Sequence, residues 1–217
     1  MPGPSPNPDE AERTLVQSGT QPFNPAQQYI VSRLLNSVGA LPSNMHIYQL
    51  DNATADRLSQ TPIPYGQGSY GGYYSYRGRF SDLANLSSWR NDAVPTVVLG
   101  NSHSPRAYAH EVGHAADSEL QRRSWVNSDS LGSVVYDKVK EQFANTQGNE
   151  YRNTRVQEFI AEAFADYFMS LLEPGALGSP KRNTAQDTIN LMSNMQITPT
   201  STPLETYMRM LMSGGGY

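Results

Sequence analysis

Apolar residues recur at helical spacing near the start of the chain. They fall on one face of a helix, at Ile30, Val31, Leu34, Leu35 and Val38. Asn24 followed by Pro25 is typical of a helix N-terminus, because Asn caps the first turn and proline suits its first position. Gly39 is typical of a C-terminus. The pattern therefore predicts a first helix between Asn24 and Gly39.

Three short segments in the first half of the chain favour strands instead. Residues 45–50 alternate in polarity, residues 73–80 are rich in tyrosine, and residues 96–99 form an apolar run before Gly100. Residues 61–72 between them are crowded with proline and glycine, which favours a long loop. The sequence therefore predicts a small sheet in this half.

From Ser104 onward the spacing is almost entirely helical. It predicts helices over residues 105–121, 130–146, 155–172, 184–194 and 203–212. Strands early and helices late indicate an α+β fold. We expect a disordered Pro-rich arm over 1–22, and one domain over 23–213 with subdomains 23–121 and 122–213.

Composition narrows the classes of function. The chain has 217 residues, a net charge of -4, four histidines and no cysteine. A metal site would therefore use histidine and carboxylate donors. Without a basic excess we expect no nucleic-acid partner, and without a run of about 18 apolar residues we expect no membrane span. We expect a monomer, and residues 1–22 lack the features of a signal peptide.

The chemistry is concentrated in residues 110–114, which read His-Glu-Val-Gly-His. Positions i and i+4 of a helix share one face, so His110 and His114 can offer ring nitrogens to one ion. Glu111 beside them is the candidate general base. Zinc accepts such a donor set and leaves one position open for water. The motif predicts one zinc per chain.

A third protein donor must come from elsewhere in the chain. Metzincins would need histidine at position 120, which is Leu120, and thermolysin-like spacing points to Val134. The predicted helix over 155–172 carries Glu158, Glu162 and Asp166 on one stripe. Buried carboxylates are costly without a positive partner, and zinc would be one. The alternative is an amphipathic helix with a solvated acidic face.

Two segments resemble a known family. HEVGHAAD over 110–117 and EFIAEAF over 158–164 are similar to the catalytic domain of anthrax lethal factor and of the related bacterial Pro-Pro endopeptidases. The resemblance implies a zincin-like metalloprotease fold, with Glu158 as the third zinc ligand. It also implies that Tyr151, seven residues earlier, donates to the oxyanion.

The resemblance has further implications for the site. Glu162 and Asp117 match family positions, and we assign them to orienting the ligand histidines. An alternative makes Glu162 the ligand, with Asp166 behind it. The family also implies a protein that is secreted or delivered outside the producing cell.

Substrate contacts are predicted from zincins in general, where the substrate pairs with an edge strand. Residues 96–99 directly precede the motif helix, so Val97, Val98 and Leu99 are the candidates for strand addition. Tyr73 and Tyr74 belong to a Tyr-rich stretch, 65–76, that could form a flap over Pro-containing peptides. The alternative is a solvent-exposed loop without a substrate role.

The sequence thus predicts a zinc-dependent endopeptidase acting on a protein or peptide, through Glu111 and Tyr151. One alternative is a toxin or effector protease domain cut from a larger delivered polypeptide. Another is an inactive zincin-fold binding module, although such a protein would be expected to have lost Glu111 or the tyrosine.

Overall fold

A computed structural model describes ten segments of the chain. They comprise residues 23–42, 45–50, 72–75, 79–80, 89–90, 95–100, 104–124, 130–146, 151–172 and 202–215. The predicted arm over 1–22, most of the Tyr-rich stretch and the predicted helix over 184–194 lie outside these segments.

The described helices begin and end close to the predicted positions. They are α1 (Pro25–Ser37), α2 (Pro105–Ser124), α3 (Leu131–Asn145), α4 (Val156–Leu171) and α5 (Pro203–Ser213), with a 3-10 turn at Tyr151–Asn153 before α4. Local capping explains the starts. Asn24 and Gln27 form a capping box on α1, and the Thr202 side chain accepts from the Glu205 amide at the start of α5.

Five strands accompany the helices. They are β1 (His46–Leu50), β2 (Gly72–Ser75), β3 (Arg79–Phe80), β4 (Trp89–Arg90) and β5 (Thr96–Gly100). The main sheet has the order β1-β5-β2, with β1 parallel and β2 antiparallel to β5, and β3 pairs with β4 in a separate ribbon. The single strand predicted over 73–80 is represented by β2 and β3. Helix and strand together agree with the α+β class.

The sheet order overturns one prediction. Residues 96–99 were expected to offer a free edge, but β5 lies in the centre, with Val97 opposite Ile47 on one side and Tyr74 on the other. Both rows of β5 backbone groups are therefore used within the sheet, and a substrate strand cannot add there. The apolar run agrees with this position, since a central strand is buried on both faces.

Helix α2 lies at the centre of the fold. It packs against α4, α1, β2 and β5, and its C-terminal half meets α3 and α5. Gly113 permits the closest approach to α4, because a Cβ there would lie 3.0 Å from Phe164 Cδ1 and 3.2 Å from Ala161 Cα. The α2–α4 interface is thus held at a short separation. None of the described helices combines the length and apolarity needed to cross a bilayer.

Candidate metal centre

The facing sides of α2 and α4 carry the charged residues of the site. Side chains at i, i+4 and i+8 share a helix face, and α2 presents Arg106, His110 and His114 in this way. Asp166 contacts Arg106 at one end and Glu158 contacts His114 at the other, so the helices run antiparallel. The basic stripe of α2 and the acidic stripe of α4, which are distant in sequence, therefore lie against each other.

Three donor atoms form a compact triangle within this interface. Nε2 of His110 and Nε2 of His114 lie 3.2 Å apart. Oε2 of Glu158 lies 3.3 Å from the first nitrogen and 3.4 Å from the second. Within the described part of the chain, these three residues form a group whose side chains could together hold a metal ion. The atoms come from the three residues that the sequence proposed as ligands.

The size of the triangle fits zinc. With Zn–N and Zn–O bonds of about 2.0–2.2 Å, two donors of a tetrahedral zinc lie about 3.3–3.6 Å apart. The three observed separations, 3.2, 3.3 and 3.4 Å, are close to that spacing. Two imidazole nitrogens and one carboxylate oxygen are also donors that zinc prefers. The residues present therefore fit the metal that the motif implies.

Glu162 approaches the opposite nitrogen of the same ring. Its Oε1 lies 2.9 Å from Nδ1 of His110. With Nδ1 facing Glu162, Nε2 is the nitrogen left for a metal once its own proton is displaced, and a partner at the opposite nitrogen orients the ring of a metal ligand. Burial by itself lowers the pKa of His110, but contacts with Glu158 and Glu162 outweigh it and raise the pKa to about 9. The geometry favours Glu158 rather than Glu162 as third donor.

Arg106 is a member of the interface that sequence reasoning missed. Its guanidinium donates to Glu162 Oε2 and, over 2.8 and 3.0 Å, to Asp166 Oδ1. It therefore supplies the positive partner of two of the three stripe carboxylates. Burial raises the pKa of Glu162, but hydrogen bonds with His110 and Arg106 lower it further, to about 2. The available signal was its position, four residues before His110.

Asp117 occupies a different environment from Glu162. Tyr207 donates to its Oδ1 over 2.8 Å, and Gln121 donates to its Oδ2 over 2.8 Å. Burial raises the pKa of Asp117, although these bonds and the charge of His114 oppose the rise. The carboxylate thus joins α2 to α5, and its described hydrogen bonds run to Gln121 and Tyr207 rather than to a histidine.

The two predicted catalytic residues lie on α2 and on the turn before α4. Glu111 follows His110 on α2, is half-buried, and its charge contributes to the raised pKa of that histidine. The backbone of Tyr151 opens the 3-10 turn that leads into α4, and this turn packs on the start of α4. Glu111 therefore lies next to a donor histidine, and Tyr151 begins the turn that leads into the helix of Glu158.

The predicted substrate residues separate into two groups. Val97, Val98 and Leu99 are buried in the central strand, so their assignment to strand addition is wrong. Tyr73 and Tyr74 lie on β2, which pairs only with β5 among the described strands and packs beside α2. The edge next to the motif helix is therefore β2.

Comparisons of the chain with protein families, with curated proteins and with solved structures found no match. The resemblance to the lethal factor and Pro-Pro endopeptidase family therefore rests on the motifs themselves and on the spacing between them.

Proposed function

We propose that the chain is a zinc-dependent endopeptidase with a zincin-like fold of the anthrax lethal factor and Pro-Pro endopeptidase type. The observation that carries the proposal is the triangle of His110, His114 and Glu158 donor atoms at zinc-ligand separations. Glu111, the base of the motif, stands beside this triangle on the same helix. Two histidines and one carboxylate as the protein donors are typical of catalytic rather than structural zinc.

Each residue has a separate task in the proposed reaction. Zinc held by these donors would supply a Lewis acid that polarises the peptide carbonyl and lowers the pKa of water. Glu111 takes the proton of the attacking water and passes it to the leaving amine. Tyr151 donates its hydroxyl to the oxyanion, a role we propose from its spacing to Glu158. Glu162, whose Oε1 lies 2.9 Å from Nδ1 of His110, orients the ring.

The substrate strand is proposed to pair with β2 rather than with β5. Among the described strands, Gly72–Ser75 is the antiparallel edge strand beside α2, and edge backbone groups can bind an extended peptide by strand addition. Tyr73 belongs to this strand, and tyrosine rings stack well on proline, whereas Tyr74 packs against the hydrophobic core. A protein or peptide substrate that contains proline suits such a strand.

The direct test measures bound zinc and cleavage together. Elemental analysis of wild type should give one zinc per chain, and His110→Ala and Glu158→Gln should each lose it. Glu141→Gln changes an exposed carboxylate on α3 and serves as the matched control, with zinc retained. Glu111→Ala should keep zinc but lose cleavage of a mixed peptide library, since this residue is a base and not a donor.

The outcomes separate the competing functions. Zinc binding with cleavage that depends on Glu111 supports the protease, and the library then reveals the preferred residues. Zinc binding without any cleavage favours a zincin-fold binding module. Absence of zinc from wild type, even after incubation with the metal, would refute the proposal.

A further inference from the structure

Arg106 stands one helical turn before the first donor histidine, on the same face of α2. Its guanidinium reaches two carboxylates of α4, Glu162 and Asp166, one turn apart. Only arginine has a planar array of donors suited to two acceptors at once, and such charge-assisted bonds are stronger than neutral ones. The guanidinium of Arg106 is therefore fixed by two carboxylates on successive turns of α4.

The carboxylate of Glu162 is divided between two partners. One oxygen, Oε2, accepts from Arg106, and the other, Oε1, lies 2.9 Å from His110 Nδ1. A glutamate side chain has three rotatable bonds, and fixing one oxygen restricts where the other can lie. The contact with Arg106 thus determines the position of the atom that orients the His110 ring.

We propose that Arg106 is a positioning residue of the metal centre, which acts on His110 through Glu162. The inference rests on the proposed zinc function and extends it by one residue. Arg106 holds Glu162 so that the Nδ1 proton of His110 is shared with Oε1 and Nε2 stays available to the metal. Partners behind a ligand histidine matter to metal binding because they set ring orientation and tautomer.

A purely structural ion pair between two helices is the competing explanation. It would stabilise the fold without a specific effect on zinc. Arg122 is a control on the same helix, since it also donates to a carboxylate, Glu119 Oε1, over 2.7 Å, although this pair lies within one helix. Glu119 is shared with Arg123 rather than with a ligand histidine. Replacing Arg122 therefore removes an arginine–carboxylate pair without touching the proposed chain of contacts.

The experiment is a double-mutant cycle read out as zinc affinity. Chelator competition gives the Kd of wild type, Arg106→Met, Glu162→Ala and the double variant, and urea denaturation of the metal-free proteins checks folding. Outer partners of ligand histidines change metal affinity by about 10–100-fold. We expect Arg106→Met to weaken zinc binding about tenfold in wild type, at the lower end of that range. In the Glu162→Ala background we expect less than about a twofold change, because the link is already broken.

Arg122→Met should leave the Kd unchanged. The Co²⁺-loaded Arg106→Met protein should show an altered visible spectrum, because that spectrum reports ligand geometry. If a variant fails to fold, Arg106→Lys and Glu162→Gln replace it in the same cycle, with a smaller loss expected and the same coupling.

Two results would overturn the inference. An equal loss in both backgrounds would mean that Arg106 does not act through Glu162. Unchanged or tighter zinc binding in Arg106→Met would leave only the structural ion pair. Either result with normal zinc binding by wild type leaves the proposed function standing, whereas no zinc binding by wild type overturns both.

Discussion

Removing one hydroxyl group tests how the fold holds the buried carboxylate of Asp117. Tyr207 on α5 is completely buried and donates to Asp117 Oδ1 over 2.8 Å, and Asp117 itself is only 3% exposed. Tyr207→Phe keeps the ring and its packing, so the change leaves no large cavity. What is lost is one hydrogen bond to a buried carboxyl group, which accepts as a charged group once the pH exceeds its pKa.

The expected loss of unfolding free energy follows from the charge of the acceptor. A hydrogen bond to a charged group contributes about 1.5–3 kcal/mol. For a domain of this size each kcal/mol shifts Tm by about 2–4 °C, so we expect Tm to fall by about 3–12 °C. Tyr108→Phe is the comparison, because Tyr108 is equally buried but donates to the neutral Gln49 Oε1, over 3.1 Å. Tyr108→Phe should lower the unfolding free energy by about 0.5–1.5 kcal/mol.

The difference should also depend on pH. Burial raises the pKa of Asp117 in the folded protein, so the stability associated with its protonated form is lost as pH rises through that pKa. The Tyr207 hydroxyl opposes this loss by stabilising the carboxylate. The gap in unfolding free energy between wild type and Tyr207→Phe should therefore widen as pH rises and Asp117 loses its proton. Tyr108→Phe should show no such widening.

Urea denaturation of the metal-free proteins, followed by circular dichroism, measures these differences, and an unchanged m-value would show that the unfolded states are comparable. A Tyr108→Phe loss as large as that of Tyr207→Phe would refute the argument from acceptor charge. A gap that stays constant with pH would show that the hydroxyl does not stabilise the charged carboxylate.

Three further predictions concern close packing and the donor set. Gly113→Ala should lower stability by up to about 2 kcal/mol, since a gain of about 1 kcal/mol in helix propensity is outweighed by about 1–3 kcal/mol of overpacking against Phe164. It should also weaken zinc binding as α2 and α4 separate, and equal stability with equal affinity would contradict this. Gly39→Ala should cost at least about 1–3 kcal/mol in urea denaturation, because its Cβ would lie 2.7 Å from Gly214 N. Its zinc affinity is the internal control and should not change. Because burial lowers the pKa of His110 but the adjacent carboxylates raise it to about 9, zinc must displace a proton at neutral pH. Zinc affinity by chelator competition should therefore rise about tenfold per pH unit from 7 to 9, and a flat profile would contradict this.

Local signals account for the elements that were predicted well. The Asn24 cap with Pro25 placed the start of α1, and α2 and α5 also begin at a proline, Pro105 and Pro203. Capping and proline preferences act within one helical turn. For the same reason the i, i+4 spacing of His110 and His114 was sufficient to put both rings on one face.

Strand order was not accessible in this way. Residues 96–99 were recognisable as a strand, but hydrogen bonds to two distant segments made it the central one. Nothing within an apolar run of four residues distinguishes an edge strand from a central one, since the partners decide it. The proximity of this strand to the motif helix in sequence was therefore a poor guide to substrate binding.

The sequence by itself determined the helices, the α+β class and the paired histidines with their adjacent glutamate, because each depends on residues a turn apart. Only the tertiary structure decided which carboxylate of the acidic stripe meets both Nε2 atoms, and that Arg106 neutralises the other two. That choice depends on the register between two antiparallel helices. Close packing at Gly113 against Phe164 is compatible with that register and depends on two distant segments rather than on any local preference.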